Sequence, residues 1–309
     1  MTRISHLPGG QGRARARLRR LVPAAMAVTA LVPTALSLTL VAGPSSAAAG
    51  QTYVALGDSY TSGPDIPTQS TSPAGCLRSN HNYPSVTATA LGLSLTDVSC
   101  SGATTANMYS AQAVTPGPAN PPQLQAVTTS TQIVSLQVGG DDLGFTSIIE
   151  NCVALTPWGP TKVGANCKNY YDPHGNDSLK AAITALQSKI AGVIAQVRTQ
   201  APGAKVFVVG YPAILPQSGA CWPSMPFETG DAQYLNQTEV ELNSALATAA
   251  AANGATYVNT YTPSINHNAC TSEATRWVEP LVPASAAYPV HPNANGEAAM
   301  AQELEAAMV

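Results

Sequence analysis

Four short segments carry residues able to do chemistry. Gly57-Asp58-Ser59-Tyr60-Thr61-Ser62-Gly63 places a serine directly after a β-rich run and between two glycines. A hydroxyl at a strand-to-helix turn is exposed, with backbone N–H groups pointing into the same space. Acyl transfer needs that arrangement, because nucleophile and oxyanion donors must converge on one carbonyl. The spacing differs from the G-x-S-x-G elbow, and Gly-Asp-Ser alone is also a common turn or helix cap. The second segment is Ser101-Gly102-Ala103-Thr104-Thr105, where a glycine lets its N–H approach a ligand closely. The third is Gly139-Gly140-Asp141-Asp142, and the fourth is His291-Pro292-Asn293 near the C-terminus. A serine nucleophile needs a base with a pKa near neutral, and His291 supplies that residue type.

These segments are positioned by an alternation of short strands and helices. Apolar β-rich runs at 52–56, 94–98, 132–138, 205–209 and 256–259 read as strands, the third with the near-continuous apolar character of a strand covered on both faces. Helical patterns occupy residues 83–91, with Pro84 in the first turn and Gly92 as the stop, and 177–201, where Asp177 caps a stripe of Ile183, Leu186, Ile190, Val193 and Val197. Two more run over 231–252 and 293–308. Residues 145–176 read as an irregular stapled insertion, and 211–230 as a second irregular stretch. The alternation predicts an α/β fold with a parallel central sheet and helices on both faces. In such sheets the loops leaving the carboxyl ends of strands carry the site, which is where the first three segments fall.

The first 49 residues read as an export signal: five arginines between Arg13 and Arg20, an apolar run over 21–42, and a small-residue cleavage site at Ala47-Ala48-Ala49. Pro23 and Pro33 interrupt that run and no stop-transfer pattern follows, which argues against stable membrane insertion once the signal is removed. Six of the fourteen basic residues and none of the seventeen acidic ones lie there, so the remainder carries a net charge of −9. An acidic surface without a basic cluster argues against nucleic acid as a partner. Residues 50–309 suit a single domain, expected as a monomer. All six cysteines fall in it, which in an exported chain suggests three disulfides. Fifteen pairings are possible, and the sequential one, Cys76–Cys100, Cys152–Cys167 and Cys221–Cys270, closes three separate loops and is the simplest. No C-x-x-C occurs and the histidines do not cluster near cysteine, so a zinc site is disfavoured.

Taken together, the four segments resemble the motif blocks of the SGNH (GDSL-like) hydrolase family, in order and spacing. The chain is especially similar to secreted bacterial lipases and esterases of that family with three disulfides. The resemblance implies a flavodoxin-like three-layer α/β/α sandwich and a serine esterase or lipase acting on small-molecule or lipid esters without metal or organic cofactor. It places the nucleophile on Ser59, a glycine oxyanion donor on Gly102 and the catalytic histidine on His291, with the Ser59 N–H as a further oxyanion donor. Phospholipase and carbohydrate-directed esterase activity on the same scaffold stay open, as does a catalytically weak secreted binding protein.

Two positions depart from the family pattern. The third block usually carries asparagine where this chain has Asp141, and an ionised carboxylate has no proton to donate to an oxyanion. The expectation is that Asp141 is held neutral beside Asp142 and donates its O–H. The residue three before the histidine is often aspartate in the family, but here it is Tyr288. A Ser–His dyad is therefore expected, with the Tyr288 backbone carbonyl orienting the imidazole. Glu279, the nearest upstream carboxylate, reads as a surface group. Asp58 and Asp142 read as loop braces, and His81, His174 and His267 as surface or loop residues. Trp222 and Trp277 read as packing near the third disulfide or at a pocket rim. Variable loops at 64–67, 107–122 and 145–176 are the expected pocket walls.

Overall fold

The computed structural model describes residues 49–157 and 163–309. The expected export signal, all but its last residue, and Trp158 lie outside the described residues. Five parallel strands form the centre: β1 (Thr52–Gly57), β2 (Ser94–Asp97), β3 (Ile133–Gln137), β4 (Lys205–Val209) and β5 (Thr256–Val258), in the spatial order β2-β1-β3-β4-β5. That order is the flavodoxin-like one, and its direction of winding reverses between β1 and β3. The expected α/β sandwich is the fold observed.

Because side chains alternate across a strand, each strand feeds two cores. Val54, Leu56, Val134, Leu136, Val206 and Val208 point to one face. There they meet α6 (Ser178–Gln200) and α7 (Thr229–Ala252). Tyr53, Ala55, Ile133, Phe207, Val209 and Val258 point to the other, against α2 (Tyr83–Leu91) and α9 (Ala294–Met308). The helices begin where the sequence provides caps. Asn82 accepts from Ser85 N–H at 3.2 Å, Asp177 from Lys180 N–H at 2.9 Å, and Asn293 from Asn295 and Gly296 N–H at 3.0 Å. Glu297 on α9 accepts the Tyr83 N–H at 2.7 Å, so the last helix satisfies an orphan donor of the first crossover helix.

Residues 145–176 differ from the expected loop. They hold α4 (Phe145–Leu155) and α5 (Asn166–Tyr171), joined by Cys152–Cys167. Phe145, Ile148, Ile149 and Cys152 follow helical spacing, but α4 starts at Gly144 (φ 77°) with no side-chain cap, so its N-terminus carries no sequence signal. Short helices α1 (Ser59–Ser62), α3 (Gly140–Leu143) and α8 (Tyr261–Ser264) complete the set. Disulfides join Cys76 to Cys100 and Cys221 to Cys270 as well. Among the described residues no helix is long and apolar enough to cross a membrane.

The disulfides close loops of different span, with sequence separations of 15, 24 and 49 residues. Unfolded-chain entropy then ranks their contributions. Replacing Cys221 and Cys270 by alanine is expected to cost roughly 4 kcal/mol, and replacing Cys152 and Cys167 roughly 3 kcal/mol. Urea unfolding of the two double variants checks the order; the reverse order shows native-state effects outweighing loop entropy.

Candidate active site

The site sits where the winding reverses, at the carboxyl ends of β1 and β3. Gly57 ends β1 where no side chain fits, since a Cβ there would lie 2.0 Å from Thr61 Oγ1 and 2.7 Å from the Gln137 carbonyl. Asp58 follows, its N–H donating to that carbonyl at 3.0 Å and its Oδ1 accepting the Tyr60 N–H at 3.0 Å. This cap starts α1 and leaves Ser59 on its first turn, buried beside the apolar cavity described below.

His291 arrives from the far end of the chain. Its Nε2 lies 2.7 Å from Ser59 Oγ, and its Nδ1 lies 2.8 Å from the Pro289 carbonyl oxygen. A carbonyl only accepts, so the contact with Pro289 places the proton on Nδ1 and leaves Nε2 free to accept the serine O–H. The expected orienting group was the Tyr288 carbonyl, and this is corrected to Pro289. Val290 adopts a left-handed conformation (φ 61°), and the Tyr288 carbonyl is engaged by the backbone N–H of His291 at 3.2 Å. The Tyr288 ring instead stands edge-on to the imidazole, 5.4 Å away. Tyr60 lies 4.8 Å from the imidazole on a tilted plane and donates its hydroxyl to the Val290 carbonyl at 2.6 Å. Burial among these rings pushes the His291 pKa down to about 4, with the Pro289 hydrogen bond opposing the shift.

The loop carrying His291 is braced from behind by Glu279. That residue is fully buried, which corrects the reading of it as a surface group. Its Oε1 accepts from Asn293 Nδ2 at 2.8 Å and its Oε2 from Ala284 N–H at 2.9 Å. Its backbone N–H donates to the His291 carbonyl at 2.9 Å. Burial disfavours its charge, but the bonds from Asn293, Ala284 and Ser285 and the charge of Arg276 outweigh that and hold its pKa low. Glu279 therefore supports the histidine loop through Asn293 and the backbone, while the imidazole Nδ1 bonds Pro289. His267 stacks on Trp277 at 3.8 Å.

Gly102 occupies the turn after β2, with φ at 77° and the Ala103 N–H donating to the Cys100 carbonyl at 3.0 Å. A positive φ at that turn position favours glycine. The Cys100 N–H donates to the Gly57 carbonyl at 3.0 Å, which ties this turn to the end of β1. Asp141 is half-buried on α3, and burial followed by the charge of Asp142 pushes its pKa up to about 6. Asp142 braces the neighbouring loop, accepting from Thr105 N–H at 2.7 Å and Thr105 Oγ1 at 2.6 Å.

Tyr211 is the residue that sequence reasoning missed. It stands two residues after β4, and the priority of residues at strand ends was the available signal. Its hydroxyl donates to Asp58 Oδ2 and accepts from the Gly140 N–H at 2.9 Å, so one phenol links the Ser59 turn to the Asp141 turn. An apolar cavity opens beside Ser59, walled by Leu143, Phe145, Ile148, Ile214, Leu235 and Leu242. Of the three expected wall segments only 145–176 borders it; the remaining apolar walls come from Leu143 on α3, from α7 and from the loop after β4, the last two being where periodicity showed only helix packing and irregular chain. Among the described residues no cluster of three His, Cys, Asp or Glu side chains can hold a metal ion.

Removing the Tyr211 hydroxyl leaves a buried carboxylate oxygen and a buried N–H unpaired, at about 1–3 kcal/mol each. Tyr211→Phe is expected to lower kcat for an activated ester about tenfold and to reduce stability to urea. Unchanged kcat would mean that the two turns hold their positions without this link.

The chain matches the GDSL-like Lipase/Acylhydrolase family over residues 55–299. It is 39% identical to Lipase 2 of Streptomyces coelicolor over 290 residues, covering 92% of this chain and 95% of that protein. Among solved structures it resembles phospholipase A1 from Streptomyces albidoflavus NA297, with a TM-score of 0.70, 28% identity, and 84% and 100% of the two chains covered. It also resembles the extracellular lipase of Streptomyces rimosus, with a TM-score of 0.69, 25% identity and the same coverage. A family match across most of the chain, on a flavodoxin-like sheet with a buried serine–histidine contact at its winding reversal, leads to one assignment: the chain belongs to the GDSL-like lipase/acylhydrolase family and is a carboxylic ester hydrolase.

Proposed function

We propose that the protein is a secreted serine esterase of lipase type, with Ser59 as nucleophile and His291 as general base. The observation that carries this reading is the 2.7 Å contact between Ser59 Oγ and His291 Nε2 beside an apolar cavity. His291 takes the Ser59 proton as the oxygen attacks the ester carbonyl. The resulting oxyanion is held by the Ser59 and Gly102 N–H groups and by Asp141. His291 then returns the proton to the departing alcohol, leaving an acyl group on Ser59. Water, deprotonated by His291, attacks that acyl group and releases the acid. The Pro289 carbonyl orients the imidazole in place of a carboxylate, which gives less stabilisation to the imidazolium.

A cavity with apolar walls suits the acyl chain of a lipid ester, in keeping with relatives named lipase and esterase. Phospholipid hydrolysis is a second reading, supported by the likeness to a phospholipase A1. The basic, apolar N-terminal segment, three disulfides and the likeness to an extracellular lipase support export, with residues 1–49 removed.

Ser59→Ala and His291→Ala are each expected to lower turnover of p-nitrophenyl esters by about 10⁴-fold, and an organophosphonate should modify Ser59. Full turnover in either variant, or an unmodified Ser59, overturns the mechanism. A graded series of acyl lengths, assayed beside a phospholipid, separates the two substrate readings.

The acid–base assignments also set a pH profile. His291 works when unprotonated, so activity rises as pH climbs through about 4. Asp141 donates only when protonated, so activity falls as pH climbs through about 6. Asp141→Asn is expected to remove the upper limb and keep the lower one. An identical profile in that variant shows that Asp141 does not donate to the oxyanion.

A further inference from the structure

The cavity beside Ser59 holds a polar group that the reaction does not use. Glu239 on α7 borders it, only 8% exposed. One carboxyl oxygen, Oε2, accepts the Ile214 N–H at 3.1 Å. The other, Oε1, is buried with no hydrogen-bond partner among the described residues. A buried carboxyl oxygen without a partner bears the cost of lost hydration with no hydrogen bond to offset it.

Of the other inward polar groups, Asp141 is assigned to the oxyanion in the proposed mechanism, and the rest are committed. Both Asp58 oxygens are engaged, by the Tyr60 N–H and the Tyr211 hydroxyl. The Tyr60 hydroxyl donates to the Val290 carbonyl, and the Thr238 hydroxyl donates to the Tyr234 carbonyl at 3.0 Å. Glu239 Oε1 is thus a buried, unpaired polar point beside a wall built largely of leucine, isoleucine and phenylalanine. A plain hydrocarbon chain filling this space would leave that oxygen unpaired. A chain with a hydroxyl at the matching depth would satisfy it. The match holds in either state of the acid, since a hydroxyl donates to a carboxylate and accepts from a neutral carboxyl. Burial pushes the Glu239 pKa well up, with the Ile214 hydrogen bond opposing.

We infer that this cavity selects acyl chains bearing a hydroxyl, which hydrogen-bonds Glu239 Oε1 while Ser59 carries the acyl group. The inference rests on the proposed role of Ser59 and adds a substrate class to it. Glu239 is a specificity-determining residue, contacting the chain at a distance from the ester. Polar sites discriminate more sharply than apolar walls because a missing partner leaves a buried group unpaired.

The test compares kcat/KM for p-nitrophenyl decanoate with its monohydroxylated forms, the hydroxyl placed at successive carbons. One position is expected to exceed the plain ester by about tenfold in the wild-type protein. Glu239→Gln keeps an acceptor for the Ile214 N–H and a donor toward the cavity, and should retain most of that preference. Glu239→Leu should bring the ratio to about one. A flat ratio at every position in the wild-type protein, or a preference that persists in Glu239→Leu, overturns the inference. Should the leucine variant fail to fold, the wild-type ratios and the glutamine variant decide alone. Absence of turnover on the plain ester would instead defeat the Ser59 reading itself, so the two failures are distinguishable.

Discussion

A serine hydroxyl and an imidazole separated by 232 residues meet within 2.7 Å in a place from which water is nearly excluded. That contact sets the demands on the surrounding chain. An imidazole buried among Tyr60, Phe145 and Tyr288 is disfavoured as a cation, so it stays neutral and available as an acceptor. The same burial removes the bulk water that would otherwise orient the ring. The Pro289 carbonyl takes that role, and the Glu279–Asn293 pair holds the loop from which both groups project.

The arrangement also shows how parallel sheet topology is put to use. At the reversal between β1 and β3, the loops after those strands diverge and leave a crevice. Buried amide side chains hold its rim together. Gln123 exchanges hydrogen bonds with the backbone of Gly57, and Gln137 reaches from Thr61 to the Gly210 carbonyl. The Tyr211 hydroxyl then couples Asp58 to Gly140. Networks of this kind are costly when incomplete, so each member fixes its neighbours. The cavity extends from the rim between α4 and α7, where the side chains turn apolar apart from Thr238 and Glu239.

Asp141 gives this site a distinctive electrostatic character. Three carboxyl groups, on Asp58, Asp141 and Asp142, lie near one another, and each charge raises the cost of the next. Asp58 is pushed well up, chiefly by burial and then by Asp141. Asp142 shares its load with Thr105 and with Lys189 at 3.5 Å. Asp141 is the member of the three for which no hydrogen-bond partner is seen among the described residues, and burial with Asp142 beside it favours its neutral form. A neutral carboxyl is a donor, which is the property an asparagine amide would otherwise bring.

The sequence by itself determined the sheet, the crossover helices and the two residues, Ser59 and His291, that the fold brings into contact. Apolar runs bounded by Gly57, Gly92 and Pro202-Gly203, and caps such as Asn82, Asp177 and Asn293, are local signals that act through adjacent residues. The motif blocks brought Ser59, Gly102, Asp141 and His291 into one expectation for the same reason, since each sits in a short recognisable turn. Helix α4 went unread because a glycine starts it without a cap. What only the tertiary structure decided depends on directions in space. Which carbonyl faces His291 Nδ1 follows from the left-handed turn at Val290. That Glu279 is buried follows from Asn293 and Ala284 closing over it. That Tyr211 and Glu239 border the site depends on how β4 and α7 pack against α1 and α4, across spans that no local pattern encodes.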